Sequence, residues 1–243
     1  PIMHIVAGYI EGTLPPEVKS IRRGLNALAN MAEAHRQAYA LIHRLDEESL
    51  VGSTVAMQVS QGDPNTLLNA LTAKYLDHLA NWEFLDETRQ ATDFIGVQYY
   101  VPSAFRVSFD RKSLIGIKSG ENGRAKVRSD AGREVYPAGL HDLLLKTYAR
   151  YQKPIIITEN GIADRADRLR GDFIKAHLFW TQRAISGGVP VLGYFHWSLL
   201  DNFEWDKGFW PRFGLIEVDY ENDFKRTIRP SADTYKEIIE NSK

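Results

Sequence analysis

The feature that most constrains the fold of this chain is a short apolar run, residues 154–157, which leads into Glu159 and then Asn160-Gly161. Consecutive β-branched residues without alternation indicate a strand buried on both faces, which is typical of parallel sheets. A glutamate at the tip of such a strand costs desolvation free energy unless it faces a cleft and has partners. Ligands bind at the carboxyl ends of the strands in parallel α/β folds, so Glu159 is a candidate functional residue. From position alone, a surface glutamate that starts a loop fits equally well.

Other apolar runs alternate with helical patterns along the chain. Apolar residues at three- and four-residue spacings predict helices over 19–45, 68–82, 137–148, 172–186 and 230–239. Strands are predicted over 50–59, 94–100, 154–157 and 191–196. Loops are predicted over 8–16, over 103–133 with a hairpin near 121–123, and over 197–220.

The order of these elements predicts a parallel sheet with helical crossovers, in a single domain that spans residues 1–243. Four strands do not close a parallel barrel of eight. As an open sheet they leave two apolar edges unpaired. The sequence therefore predicts half of a larger α/β structure.

Composition excludes several classes of function. The 30 basic and 31 acidic residues give a net charge of -1, so nothing indicates binding to nucleic acid or to an anionic membrane. The chain has no cysteine, which excludes disulfides and thiolate metal sites and agrees with a cytoplasmic location. No apolar run approaches the roughly 18 residues of a membrane span, and no signal peptide is predicted. The seven histidines form no His-x-x-x-His pair and no glycine-rich phosphate loop follows a strand, so neither a metal nor another cofactor is predicted.

A second segment of chemical interest is 193–205, where a predicted strand runs into a loop that carries two tryptophans and two acids. An indole face stacks on the C–H face of a sugar ring, and a carboxylate accepts protons from two neighbouring hydroxyls. Trp197 and Glu204 are therefore suited to hold a sugar. Taken alone, the segment is better explained by a core aromatic cluster with acids at the surface.

Several motifs occur together and in order. They are Asp93-Phe94-Ile95-Gly96 with Tyr99-Tyr100, Tyr136-Pro137-Ala138-Gly139-Leu140, Thr158-Glu159-Asn160-Gly161-Ile162-Ala163-Asp164, Trp197-Ser198-Leu199-Leu200-Asp201-Asn202-Phe203-Glu204-Trp205, Arg212-Phe213-Gly214-Leu215 and Arg229-Pro230-Ser231-Ala232. Together they closely resemble family 1 glycoside hydrolases, the β-glucosidase and β-galactosidase family. The resemblance implies a (β/α)8 TIM barrel, of which this chain would form roughly strands five to eight, a half-barrel.

The resemblance also implies a retaining β-glucosidase-type hydrolase. Glu159 would be the catalytic nucleophile, which forms a covalent glycosyl-enzyme intermediate that water then hydrolyses. Tyr100 would hold Glu159 oriented and ionised. Gln98 stands where the family usually has asparagine, so its reach is one methylene longer.

The other matched residues would bind the sugar. The ring would lie on Trp197, and Glu204 would accept two of its hydroxyls. The Trp205 indole would donate to another hydroxyl, and Phe213 would close the apolar wall. Because a carboxylate at Glu204 would repel a phosphate group, the expected ligands are small non-phosphorylated β-linked glycosides or oligosaccharides. Arg133 stands where the family commonly has tryptophan, at the edge of the aglycone side.

One catalytic group is missing from the matched motifs. In the family the acid/base is the glutamate of an Asn-Glu-Pro motif, and Gly-Tyr follows that proline seven residues later. Pro1 and Gly8-Tyr9 have the same offset, so Pro1 resembles the proline of that motif and the acid/base would precede residue 1. The expected partner is a complementary N-terminal half-barrel, without which this chain would neither fold stably nor turn over glycosides. The alternative is a non-catalytic sugar-binding or scaffolding half-barrel.

Overall fold

The fold is taken from a computed structural model, and the structure describes residues 1–62, 67–108, 116–120 and 127–242. The helices are α1 (Ile2–Ile5), α2 (Ile21–Leu45), α3 (Leu67–Asp77), α4 (Glu83–Thr88), α5 (Pro137–Tyr151), α6 (Arg170–Ser186) and α7 (Pro230–Asn241). The strands are β1 (Gly52–Gly62), β2 (Phe94–Ser108), β3 (Gly116–Gly120), β4 (Ile155–Asn160), β5 (Val191–His196), β6 (Ile216–Asp219) and β7 (Lys225–Ile228). Short π-helical turns follow α1 (Val6–Glu11) and α3 (His78–Trp82), and a 3-10 turn spans Trp205–Lys207.

The centre of the fold is a parallel sheet in the order β1-β2-β4-β5. Phe94 pairs with Gly52 of β1, Ile95 pairs with Ile155 of β4, and Ile155 pairs with Val191 of β5. The carboxyl ends of the four strands therefore lie at one edge of the sheet. Among the described residues, β1 and β5 each pair with a strand on one side only. The predicted four-stranded parallel sheet is confirmed.

One face of this sheet is buried under the helices. Every second residue of the central strands lies on that face, including Val97 and Tyr99 of β2 and Ile155 and Ile157 of β4, all essentially inaccessible to solvent. They pack with Leu143 and other apolar residues of α5 in one core cluster. Because side chains alternate along a strand, Gln98 and Tyr100 lie on the opposite face.

Local signals explain where several helices begin and end. The Ser20 side chain accepts a hydrogen bond from the Arg23 backbone N–H, which caps α2. Helices α5 and α7 begin at Pro137 and Pro230, where proline needs no backbone N–H. Helix α6 begins two residues before the predicted start, because the Asp164 carboxylate accepts the first backbone N–H groups. Asp164 lies in the loop before the helix, outside the apolar pattern from which the start of α6 is predicted.

The structure corrects some of the predicted loops. Residues 6–11 form a π-helical turn instead of a loop, closed at Gly12 in a left-handed conformation. Strand β2 continues eight residues past the predicted end at Tyr100, because its extension pairs with β1 and with antiparallel β3. Strand β6 lies within the predicted loop 197–220, because it pairs with β7 from the following segment. The hairpin predicted near 121–123 lies outside the described residues.

Candidate active site

Glu159 lies near the carboxyl end of β4, and both of its carboxylate oxygens accept hydrogen bonds from β2. The Tyr100 hydroxyl donates to Oε2 at 2.6 Å. The Gln98 amide donates to Oε1 at 2.5 Å. The sheet register explains this geometry, because Gln98 pairs directly with Glu159 and Tyr100 lies two residues further along the same face. The carboxylate is thus held by two donors on one neighbouring strand.

The electrostatics of the site follow from burial and from its acids. Burial raises the pKa of the Tyr100 phenol far above its ordinary value, and the negative charge of Glu159 raises it further. Tyr100 therefore remains protonated around neutral pH and donates its hydrogen bond to Glu159. Burial also raises the pKa of Glu204, whereas the hydrogen bond from the Trp197 indole and the charge of Arg133 lower it. The charge of Glu159 adds to the increase, which places the two carboxyl groups in the same site.

The tips of β4 and β5 are joined through backbone contacts. The Trp197 N–H donates to the Asn160 carbonyl at 2.9 Å, so the tryptophan begins its loop beside Glu159. The peptide bond between Trp197 and Ser198 is cis. A β-carbon on Gly161 would overlap the Trp197 carbonyl oxygen, so only glycine permits this approach.

Asn160 has a structural role that its position in the sequence does not reveal. It is the last residue of β4 and is fully buried. Its side-chain amide donates to the Tyr99 carbonyl at 2.6 Å and its Oδ1 accepts from the Tyr194 hydroxyl at 2.8 Å. One side chain thus connects β2, β4 and β5 directly beneath the site.

The loop that carries Trp197, Glu204 and Phe213 is fixed by a buried ion pair. The side chain of Asp201 is fully buried, and its carboxylate accepts hydrogen bonds at 3.0 Å from both terminal nitrogens of Arg229. The same carboxylate accepts the Gly214 backbone N–H at 2.9 Å. This role is not predicted from the sequence, although both residues lie in the quoted motifs. A buried Asp and Arg separated by 28 residues are recognised as a pair only in three dimensions.

The seven predicted site residues do not all come together. The Phe213 ring contacts the Tyr100 ring edge to face, with centroids 6.3 Å apart, next to Glu159. Trp205 instead is 71 % exposed on the 3-10 turn that follows Glu204. The structure thus groups Gln98, Tyr100, Glu159, Trp197, Glu204 and Phe213, and leaves Trp205 at the surface.

A small cleft lies beside this group and opens to solvent. Tyr100, Gly161 and Phe213 line it together with Ser129 and Arg133, whereas Glu159 and Glu204 do not. In the part of the chain that the structure describes, no cluster of three or more His, Asp or Glu residues could hold a metal ion. Within the same residues, no helix combines the length and apolarity that a bilayer crossing requires. The groups that the described site presents are carboxyl, amide, phenol and indole side chains.

Comparison with known proteins agrees with this arrangement. A sequence profile of the family described as Glycosyl hydrolase family 1 matches residues 72–243. The chain is 36% identical over 222 residues to the galactolipid galactosyltransferase SFR2 of Arabidopsis thaliana, covering 89% of this chain and 34% of that protein. It is 33% identical to a β-galactosidase of Sulfolobus acidocaldarius, covering 96% of this chain and 51% of that protein.

The fold is also similar to solved structures. A β-glycosidase from Pyrococcus horikoshii superposes with a TM-score of 0.89 at 35% identity, covering 98% of this chain and 58% of that one. A family 1 β-glucosidase from Thermotoga maritima superposes with a TM-score of 0.87 at 25% identity, covering 99% of this chain and 62% of that one. The chain spans only about a third to a half of the length of the first curated relatives.

Proposed function

The chain belongs to glycosyl hydrolase family 1 and forms about half of the family's TIM barrel, and from this premise we propose that it is the nucleophile-bearing half of a retaining β-glycosidase. Its substrates would be non-phosphorylated β-glucosides or β-galactosides. The observation that supports this best is Glu159, held by Tyr100 and Gln98 at the tip of a parallel strand. A cytoplasmic location stays a prediction.

The reaction requires an oriented, ionised nucleophile. One Glu159 oxygen attacks the anomeric carbon and forms a glycosyl ester, while the bond to the leaving oxygen breaks and that oxygen takes a proton from an acid. Water then attacks the same carbon, the acid's conjugate base takes a proton from the water, and Glu159 leaves as a carboxylate. Two inversions retain the anomeric configuration. The hydrogen bonds from Tyr100 and Gln98 keep the carboxylate oxygens in place.

The neighbouring aromatic and acidic groups suit a sugar. Trp197 offers an indole face, Glu204 accepts hydroxyl protons and Phe213 supplies an apolar wall beside Tyr100. Trp205 is exposed, so its proposed hydrogen bond to the sugar requires a ligand that reaches the surface of the turn or a small shift of that turn.

The second carboxyl of the mechanism would come from a complementary N-terminal half. Retaining glycosidases place their two carboxyl groups about 5–5.5 Å apart, facing opposite sides of the scissile bond. The four-stranded sheet has an unpaired edge on β1 and another on β5 in the described part of the chain, and a half with four more strands would pair with both. We propose that residues 1–243 act as one domain of this assembled enzyme.

A second candidate is glycosyl transfer. Two proteins that share 36% identity with this chain are named as a galactolipid galactosyltransferase of Arabidopsis thaliana and a β-glucosidase-like protein of Oryza sativa subsp. japonica. Transfer uses the same intermediate on Glu159, with a sugar hydroxyl in place of water as the attacking group. Product analysis with and without added glycoside acceptors distinguishes the two activities.

The decisive experiment is covalent labelling of the assembled enzyme with a 2-fluoro β-glucoside. We expect a stable adduct on Glu159, which peptide mass spectrometry locates, and none in the Glu159→Gln variant. Residues 1–243 alone should hydrolyse no aryl β-glucoside. Full turnover by this chain alone would refute the need for a second half. An assembled enzyme without label on Glu159 would instead favour a non-catalytic sugar-binding or scaffolding half-barrel.

A further inference from the structure

A tight turn beside the active site has an architecture of its own. The Gly132 N–H donates to the Ser129 carbonyl at 2.8 Å, and the Ser129 N–H donates to the Arg133 carbonyl at 2.9 Å. Gly132 adopts a positive φ of 75°, which glycine tolerates without strain. The Asp130 N–H donates to the Ala163 carbonyl at 2.9 Å, in the segment that follows Glu159. The turn is therefore closed on itself and tied to the active-site strand.

The two arginines of this turn have different environments. Arg128 donates to the Gly132 carbonyl at 2.8 Å and pairs with Glu134, so its guanidinium stabilises the turn. Arg133 is exposed and lines the cleft with Tyr100 and Phe213. Its guanidinium makes no hydrogen bond or ion pair with any residue that the structure describes. The turn thus presents one positive charge to the cleft.

The charge of Arg133 faces a site that is otherwise acidic. Glu159 and Glu204 lie on the side where the sugar ring would bind, and Asp206 is paired with Lys207 on the following turn. The Arg133 charge lowers the pKa of both Glu204 and Asp206, so it lies within electrostatic range of this group. An anionic substituent on the sugar would meet the two glutamates. An anionic substituent on the leaving group would be away from the two glutamates and would meet Arg133 in the cleft beside Tyr100 and Phe213.

We propose that Arg133 forms a subsite for a carboxylate on the leaving group of the glycoside. A guanidinium binds a carboxylate through two parallel N–H···O bonds, and that of Arg133 is paired with none of the described residues. The half-buried Ser129 side chain lines the same cleft, and its hydroxyl accepts the Arg133 backbone N–H at 3.2 Å, so it lies beside the arginine. This subsite rests on the proposed β-glycosidase function and specifies its leaving group as an acidic aglycone such as a phenolic acid.

The test uses the assembled enzyme and two substrates of the same shape, 4-carboxyphenyl and 4-carbamoylphenyl β-glucoside. The measured quantity is the ratio of kcat/KM for the carboxylate to that for the amide. We expect Arg133→Gln to lower this ratio about tenfold, mainly through KM, and Arg133→Lys to lower it less because an ammonium cannot form the bidentate pair. Differences in leaving-group chemistry cancel when each variant is compared with the parent enzyme.

Arg165→Gln is the matched control. Arg165 is exposed, follows the segment that anchors the turn and does not line the cleft, so its loss removes the same charge and should leave the ratio unchanged. An unchanged ratio in Arg133→Gln would overturn the subsite. This holds even if the pH profile of that variant shifted, because Arg133 would then act only on the charges of the neighbouring carboxyl groups. An equal loss in Arg165→Gln would overturn it as well. If the assembled parent enzyme turned over neither substrate and left Glu159 unlabelled, the proposed function itself would fail.

Discussion

Each oxygen of the Glu159 carboxylate accepts a hydrogen bond from a side chain of different chemistry. Tyr100 is a buried phenol whose pKa is raised by burial and by Glu159, so it stays protonated. Gln98 is a neutral amide that cannot ionise. Neither donor therefore changes charge around neutral pH, so both can hold the proposed nucleophile in place there.

The first prediction concerns the phenol. Tyr100→Phe removes the 2.6 Å hydrogen bond to Glu159 and leaves the ring contact with Phe213 in place. Hydrogen bonds to charged groups contribute about 1.5–3 kcal/mol, so the rate of Glu159 labelling by the 2-fluoro glucoside should fall roughly 10- to 100-fold. Tyr99→Phe is the control, because that hydroxyl donates to the Tyr136 carbonyl on the opposite face. Equal labelling rates in the two variants would contradict the role of Tyr100.

At the scale of elements, the active site depends on how the loop after β5 is held against β4. The Trp197 N–H reaches the Asn160 carbonyl, the Asn160 side chain connects three strands, and Asp201 with Arg229 fixes the remainder of the loop. These contacts join segments that are distant in sequence. They bring Trp197 and Glu204 to the same site as Glu159.

The second prediction tests the close approach at Gly161. In Gly161→Ala the new methyl group overlaps the Trp197 carbonyl oxygen, so the two strand tips must separate. We expect a loss of labelling at Glu159 of at least tenfold and a lower midpoint of urea unfolding. Gly171→Ala is the matched control, since its methyl would meet only Thr234 at an ordinary distance of 3.5 Å. That variant should retain the parent rate and stability, and a comparable loss there would refute the argument.

The third prediction concerns the buried ion pair. Arg229→Met removes both guanidinium donors that bond the buried Asp201 carboxylate and leaves only Arg212, whose Nη1 lies 3.5 Å from Oδ2. The free energy of unfolding should fall by up to about 3–5 kcal/mol. The double variant with Asp201→Asn should recover part of this loss, because the under-compensated buried charge is gone. Arg150→Met is the comparison, since Arg150 and Asp86 form a partly exposed pair whose loss should cost about 1 kcal/mol or less. Urea unfolding of the assembled enzyme measures all three, and similar losses at both sites would contradict the prediction.

At the scale of the whole molecule, the sheet is open where a barrel would be closed. Strands β1 and β5 have one neighbour each in the described part of the chain, and Leu192 and Phe195 of β5 are more than half exposed. Exposed strand edges with apolar side chains favour association with other strands. This agrees with a chain that completes its fold by binding a second half.

Two histidines with buried ring nitrogens, His177 and His196, give the molecule a predicted sensitivity to acid. Burial lowers the pKa of His177 to about 4. Burial, then the charges of Arg170 and His177, lowers the pKa of His196 to about 3. In the unfolded chain each histidine takes up a proton as the pH falls through about 6.5, whereas in the folded chain it stays neutral down to its lowered pKa. The contribution of the neutral histidines to the free energy of unfolding is therefore complete above pH about 6.5 and is lost as the pH falls through the folded-state pKa values.

The fourth prediction follows from these shifts. Between pH about 6.5 and 4 each histidine adds up to about 1.4 kcal/mol per pH unit to the decline in the free energy of unfolding. In His177→Gln the decline should become shallower, because one of the two protonations is removed. His4→Gln, at an exposed position, should leave the slope unchanged. Urea titrations of the assembled enzyme at several pH values provide the measurement, and identical slopes in all three proteins would refute it.

The sequence predicts the elements well where the signal is local. The apolar run at 154–157 marks strand β4, and Gly187-Gly188 mark the end of helix α6. The family resemblance points to Glu159, Tyr100 and Trp197 as candidate site residues. The errors arise where distant segments decide the structure. Strand β2 continues past Tyr100 because β1 and β3 pair with it, and β6 forms because β7 lies beside it.

The sequence alone determined the parallel four-stranded sheet, the family and the candidate site residues, because hydrophobic periodicity and motif spacing are properties of the linear sequence. Only the tertiary structure decided that Gln98 and Tyr100 hold the two oxygens of Glu159, that Asn160 connects three strands and that Trp205 is exposed. These properties depend on strand register and on loop packing. Both arise from contacts between residues tens of positions apart, which no local pattern encodes.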